Sequence, residues 1–396
     1  MAAKGLARVC LLFAASLLIL WAVVAVVYAQ PVEKPGESIR ASPFVSVPSP
    51  QDAQTDASSI DDSGSKGLTG PALAGTVNIA LSPLTTTVYV GDVFMLDVMV
   101  NAGSQSVDGV DVYLNFDAGK LHVVDAAGAD TTAIIADTTT FSSVLQNVAD
   151  NTTGHIDYSA GSLSGSAGSG SFRVAQIRFK AMAGSSAAGT PVTFNRSIPR
   201  LTDVAWAGSS VFGSATDASA VIISTFTIPL TTSWNLISTP LSPISPSVTT
   251  TLMSITGHYS VVEAYDAFSQ TWKIYNKSFP PDLNTLTQIT ETLGIWIRIS
   301  DPVTLTVTGT VPVSSGIPLA AGWNLVGYPS LVTRPVTVAF ATIDGKYNVV
   351  EAYDAFSQTW KIYNKNFPPD LNTLTDMSPG WGYWIRTTQA CIWSLP

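Results

Sequence analysis

The sequence predicts an all-β protein, on three observations. Apolar and polar residues alternate with a period of two in several short segments, no segment sustains a 3.6-residue period, and residues 261–287 recur at 349–375 with the single change of Ser278 to Asn366. Period-two alternation marks strands with one buried face. A 27-residue copy at an offset of 88 is an internal duplication, which fixes the modules of the C-terminal half. An enzyme rarely needs its active site twice in tandem, so the duplicated half reads as structural or adhesive.

Residues 75–225 form the first folded unit. Phe94, Leu96, Val98 and Val100 alternate with Met95, Asp97, Met99 and Asn101. Val110, Val112, Leu114 and Phe116 alternate with Asp111, Tyr113, Asn115 and Asp117, and Ala175, Ile177, Phe179 and Ala181 with Gln176, Arg178 and Lys180. Gly and Ser clusters such as GSLSGSAGSGS at 161–171 punctuate these runs and read as loop. Short strands with one apolar face each argue for two packed antiparallel sheets.

The runs VNIALSPLTTTVYVGDVFMLDVMVN, GVDVYLNFDAGKLHVVDAAG, GHIDYSAGSL and FRVAQIRFKAMAGSSAAGTPVTF, in that order over residues 76–225, resemble a cohesin domain. Its most specific elements here are Val90-Gly91-Asp92, Phe116-Asp117 and Ile177-Arg178-Phe179-Lys180. The resemblance implies a jelly-roll β-sandwich related to carbohydrate-binding modules, and a partner in a dockerin domain, often borne by an enzyme that degrades plant polysaccharides. It also implies that Asp111 lies on the dockerin-facing sheet. Alternation places Tyr113 and Asn115 on the same outward face, so Asp111, Tyr113 and Asn115 are the candidate partner-binding residues. Two positions depart from the family pattern: Gly109 stands where the family has Asn, and Phe116-Asp117-Ala118 where it has Tyr-Asp-Pro. These departures bear on partner recognition more than on fold.

Residues 226–310 and 311–396 are two homologous, small β-rich repeat modules. Each opens on Trp-Asn-Leu (Trp234-Asn235-Leu236, Trp323-Asn324-Leu325) and closes on Trp-Ile-Arg (Trp296-Ile297-Arg298, Trp384-Ile385-Arg386). The pattern resembles tandem modules of bacterial surface proteins, for which no ligand is implied. The shared VVEAYDAFSQTWKIYN reads as a hairpin, turned by Asp266 to Gln270, with Pro280-Pro281-Asp282 breaking the ladder beyond it. TLMSITG (251–257) and VAFATIDG (338–345) each fit one or two helical turns.

Composition bounds the function. Charged residues are 12% of 396, against a usual figure of about 25%. Net charge is −9 with no basic cluster beyond the first residues, which argues against nucleic-acid binding. Lys4 and Arg8, the apolar run 9–27 and Val27-Tyr28-Ala29 have the layout of a secretory signal over residues 1–29, with a retained membrane anchor as the alternative. Residues 30–74 are rich in Pro, Ser, Asp and Gly and read as a disordered linker. A secreted or cell-surface location follows. Cys10 and Cys391 allow no disulfide framework once the signal is removed.

No cofactor is expected. His122, His155 and His258 are dispersed and no Cys pair exists, so zinc and haem sites are not foreseen. A structural Ca2+ in a sandwich loop is left open without a motif to support it, and the cohesin resemblance implies that the Ca2+ of partner binding would come with the dockerin. Glu263 with Asp266, and Glu351 with Asp354, form the only recurrent acidic pair, and they read as surface and turn residues rather than a hydrolase pair. Eight of the ten tryptophans lie beyond residue 226. Trp234, Trp296, Trp323 and Trp384 are expected in the cores; Trp272 with Tyr275 and Trp360 with Tyr363 are the candidate carbohydrate-binding aromatics. The expected function is non-catalytic: a scaffold that docks a dockerin-bearing enzyme or a polysaccharide in polysaccharide breakdown. A direct carbohydrate-binding protein and a structural surface-layer or adhesion protein are the alternatives.

Overall fold

The computed structural model describes residues 75–162, 167–313 and 316–395. The expectations for residues 1–29 and 30–74 lie outside the described residues. The regular structure of the described residues is nearly all β, as predicted.

The sandwich contains β1 (Val77–Ser82), β2 (Thr85–Tyr89), β3 (Val93–Val107), β4 (Gly109–Phe116), β5 (Leu121–Val123), β6 (Ile135–Ala136), β7 (Ser143–Asp150), β8 (His155–Gly161), β9 (Gly168–Ala181), β10 (Thr190–Phe194), β11 (Asp203–Trp206), β12 (Ser209–Ser210), β13 (Phe212–Thr216) and β14 (Ala218–Leu230). One sheet runs β13-β1-β3-β9-β5, with β6 also on β9. The other runs β12-β11-β4-β10-β14; β8 joins β4 to β7, and β2 pairs β14 in parallel. The alternation read from the sequence is the burial pattern observed: Phe94, Leu96, Val98 and Val100 of β3, Val110, Val112, Leu114 and Phe116 of β4, and Ala175, Ile177 and Phe179 of β9 all enter one core. The Gly/Ser run is only partly loop, since residues 168–171 begin β9.

The sequence carries no signal for β2, where only Val88 is buried. What places it is Val90-Gly91-Asp92. Asp92 Oδ2 accepts from Tyr89 N at 2.9 Å, Val90 N donates to Ile223 O at 3.0 Å and Gly91 N to Ala181 O at 2.8 Å. Gly91 sits at φ +95°, which a side chain would oppose.

The boundary expected at residue 225 falls inside β14. The first half of β14 completes the sandwich against β10 and β2. The second half, Ser224–Leu230, pairs antiparallel with residues 303–309 of the first repeat.

That repeat contains β15 (Ser233–Ile237), β16 (Ser242–Pro243), β17 (Tyr259–Asp266), β18 (Thr271–Asn276), β19 (Ile295–Ile299) and β20 (Val303–Thr310). The second contains β21 (Ile317–Leu319), β22 (Gly322–Val326), β23 (Arg334–Pro335), β24 (Tyr347–Asp354), β25 (Thr359–Asn364), β26 (Asp376–Met377), β27 (Tyr383–Thr387) and β28 (Cys391–Trp393). Each has a four-stranded sheet, β15-β19-β17-β18 and β22-β27-β24-β25. Short helical turns at Val248–Thr251 and Val336–Ala339 close the cores. The Asn of each Trp-Asn-Leu motif is buried and clamps the turn before it: Asn235 exchanges two hydrogen bonds with the Thr231 backbone (2.7 and 3.0 Å), Asn324 two with Ala320 (2.9 and 2.8 Å).

The two sheets meet along a seam. Trp296 of the first repeat contacts Tyr353 and Trp360 of the second at 5.3 and 5.8 Å between ring centroids. Reciprocally, Trp384 contacts Tyr265 and Trp272 at 5.4 and 5.9 Å. Single β-bridges join Ile237 to Trp381 and Leu293 to Val326. The same positions thus contact each other in both directions, the pattern of an isologous interface. Backbones approach so closely here that a Cβ on Gly382 would lie 2.6 Å from Ile237 O, and one on Gly294 2.5 Å from Val326 O. Trp234, Trp296, Trp323 and Trp384 are therefore corrected from core to seam. They stand on the outward faces of their own sheets, half-buried against each other and the sister repeat.

Candidate functional site

Asp111, Tyr113 and Asn115 project from one face of β4, as alternation requires, and the neighbouring strands supply the rest of the surface. Across β8 they stand opposite Ser159, Asp157 and His155; across β11, Asp111 stands opposite Asp203. Asp111 is exposed, and its Oδ1 accepts from Ser159 Oγ at 2.5 Å. The backbone of Tyr113 is fixed by Thr202, whose Oγ1 accepts from Tyr113 N and donates to Tyr113 O, both at 3.1 Å.

Arg200, from the loop between β10 and β11, organises the other end. Its guanidinium donates to Asn115 Oδ1 at 2.7 Å, to Asp157 Oδ1 at 2.8 Å and to Leu114 O at 3.0 Å, and lies 5.6 Å from the Tyr113 ring centroid. One planar fork thus spans β4 and β8 and holds Tyr113, Asn115 and Asp157 in fixed geometry. The structure brings together all three sequence-predicted residues and adds Arg200, Asp157, Ser159 and Asp203. Asp157 and Ser159 were within reach of the alternation in HIDYSAG. Arg200 was not, because an irregular loop has no period.

The charge is uneven. Arg200 is matched by Asp157, whereas Asp111, Asp203 and Asp108 surround a shallow hollow of about 190 Å3 whose lining has no Lys or Arg. Like charges directly opposite on paired strands repel, so this end of the face favours a hydroxyl or cationic donor from outside. Exposed apolar side chains flank the face, Leu145 and Val148 on β7, and Ile198 and Leu201 in the Arg200 loop at the other end.

Residues 79–199 match the family model of the cohesin domain. This part of the chain is a cohesin domain. Solved structures similar to it include a type II cohesin domain from the cellulosome of Acetivibrio cellulolyticus, at 18% identity and TM-score 0.31, covering 37% of this chain and 95% of that one. A type I cohesin–dockerin complex from Clostridium thermocellum matches at 13% identity and TM-score 0.29, over 37% of this chain and 99% of that one. A non-cellulosomal cohesin from the archaeon Archaeoglobus fulgidus matches at 14% and 0.27, over 37% and 90%. A search of curated proteins returns no match.

Outside the cohesin domain, the candidate carbohydrate-binding aromatics do not form the expected pairs. Trp272 and Tyr275, three residues apart in β18, fall on opposite faces of an extended strand. Trp272 packs on Tyr265 and Trp384 in the seam and stays 45% exposed, while Tyr275 packs inward on Tyr259. Trp360 and Tyr363 divide in the same way, Trp360 onto Trp296 and Tyr363 onto Tyr347. Neither pair makes one stacking platform. Asp266 and Asp354 are turn residues as read, each accepting two backbone N–H bonds through Oδ1. Glu263 and Glu351 are not plain surface residues: they flank Trp296 and Trp384 on the seam face, and burial pushes both carboxyls above the usual range.

Proposed function

We propose that the chain is a non-catalytic extracellular scaffold whose cohesin domain docks a dockerin-bearing protein on the sheet face around Asp111. The single observation that carries this reading is the preorganised polar face, Asp111–Ser159 at one end and Asn115–Arg200–Asp157 at the other, on a cohesin domain. A rigid donor–acceptor array with its side chains already oriented loses little entropy on binding. The open acceptors at the Asp111 end suit the hydroxyl and basic side chains of a helical partner, and the flanking Leu145 and Val148 supply apolar area. The low charge content and the signal-like N-terminus support an extracellular setting, and polysaccharide breakdown is the process in which such a scaffold would serve.

The test is capture of proteins from the secretome of the source organism on the immobilised full chain, in Ca2+ and again in EDTA. Ca2+-dependent capture of proteins bearing paired Asp-rich loops is the expected result. Asp111→Ala should weaken that capture by roughly 10–100-fold, since a hydrogen bond to a charged group is worth about 1.5–3 kcal/mol. Capture indifferent to both EDTA and Asp111→Ala would defeat the reading.

A further inference from the structure

A cleft lies between the two repeats, away from the cohesin face. One wall comes from the first repeat, with Phe226 on β14 and Ile237 on β15. The other comes from the second repeat, with Tyr353 and Phe356 at the tip of the β24–β25 hairpin and Trp381 beyond it. It encloses about 230 Å3, less than the roughly 300–1,000 Å3 of clefts for drug-sized ligands. The geometry points to a site for a sugar ring of an uncharged glycan, held between Phe226, Tyr353, Phe356 and Trp381.

Four aspects of the cleft narrow the ligand. Its walls are aromatic and partly open, Phe356 being 67% exposed, and aromatic faces suit the C–H faces of sugar rings. A carboxylate stands at its edge. Asp354 Oδ1 accepts from Phe356 N at 3.0 Å and Ser357 N at 3.3 Å, which fixes the carboxylate in place beside the rings. The lining has no Lys or Arg, which disfavours phosphorylated or sulfated ligands. The backbone along the cleft is already paired, through Ser238 N to Gly380 O at 3.0 Å and the Ile237–Trp381 bridge, so an extended peptide finds no open strand edge there. Gly380 keeps the floor clear: it has φ +84°, and a Cβ on it would lie 3.2 Å from the Phe226 ring.

The duplication sharpens the inference. The hairpin tip is the same in both repeats, Phe356 corresponding to Phe268 and Tyr353 to Tyr265. The other two ring positions are not the same. Trp381 corresponds to Leu293, and Phe226 to Ser315. Two of the four rings are therefore peculiar to one side of an otherwise reciprocal pair, as expected of a site added on one side.

The test uses the full chain in native affinity electrophoresis through gels containing xyloglucan, xylan, mixed-linkage β-glucan or galactomannan. Retardation by at least one polysaccharide is expected. Phe356→Ala, an exposed substitution that spares the fold, should weaken it about tenfold or more, and the matched Phe268→Ala should leave it unchanged. Ligand addition should also shift tryptophan fluorescence in the parent, and less so in Trp381→Phe. Retardation by none of the four, an equal loss in Phe268→Ala, or equally tight Phe356-dependent binding of unfolded casein would overturn the site. Dockerin capture is read separately through Asp111→Ala, so the two readings fail independently.

Discussion

Glu263 and Glu351 show how far a single residue can depart from its sequence context. Each lies on the outward face of its own sheet, where a glutamate is ordinary, and the sister repeat then covers it. Desolvation raises both carboxyl pKa values above 4.5. The folded state therefore holds these protons more tightly than the unfolded chain. The stability this contributes is complete below the ordinary glutamate value and is lost as pH rises through the raised values. The expected outcome is that thermal stability of the repeats declines as pH is taken upward from about 4.5 toward neutrality. The Glu263→Gln, Glu351→Gln double variant should flatten that decline and melt higher than the parent at pH 7. A parent whose melting profile is flat over this interval, or a double variant less stable at pH 7, would show that the carboxylates are not desolvated in the seam. Legibility at this scale follows the same division. Asp111, Tyr113 and Asn115 were readable because a strand's alternation fixes side-chain direction. Arg200 and the burial of Glu263 depend on a loop and on a second sheet, which no local pattern encodes.

Among the elements, the hairpins carry the most information. Their cores have diverged, with Leu252 corresponding to Phe340, Ile295 to Tyr383 and Leu305 to Trp393, while 26 of 27 hairpin-region residues are the same. Reciprocity offers a physical reason. In an isologous contact each hairpin must fit the partner sheet and the partner's hairpin must fit in return, so a change in one copy is felt at only one of two matched contacts. The core of each repeat is private and can be repacked alone. The seam also predicts a sensitive position. Gly382→Ala places a methyl 2.6 Å from Ile237 O, where backbone must move. It should cost about 1–3 kcal/mol and red-shift tryptophan emission as Trp384 and Trp296 gain solvent. Gly109→Ala, which like Gly382 has no positive φ but whose Cβ would meet nothing nearer than 3.9 Å, is the control for the cost of contact. Equal losses in the two variants would mean that close approach at the seam is unimportant. β3, β4 and β9 were legible because each has a continuous apolar face. β2 was not, because TTTVY buries one residue and is held by the turn after it.

At the scale of the whole molecule, strand β14 decides how the parts are joined. The sequence divides at residue 225 by repeat register, but the chain runs straight through that point for 13 residues of continuous strand. Seven of them, Ser224 to Leu230, pair with β20 of the first repeat, and the preceding residues pair with β10 and β2 of the sandwich. Unfolding either module alone would leave half of β14 with unpaired backbone groups, each of which is costly to leave unsatisfied where it is buried. Val311 N also donates to Ser185 O at 2.8 Å, tying the end of β20 to a sandwich loop. The seam then joins the second repeat to the first. A chain built this way holds the sheet face around Asp111 in a fixed orientation relative to the repeats, unlike modules on flexible linkers. Scanning calorimetry on the full chain should accordingly show one cooperative transition for the cohesin domain and repeats together, with calorimetric and van't Hoff enthalpies in agreement. Two resolved transitions would mean that β14 yields at its midpoint and that the cohesin domain is free to turn on its base.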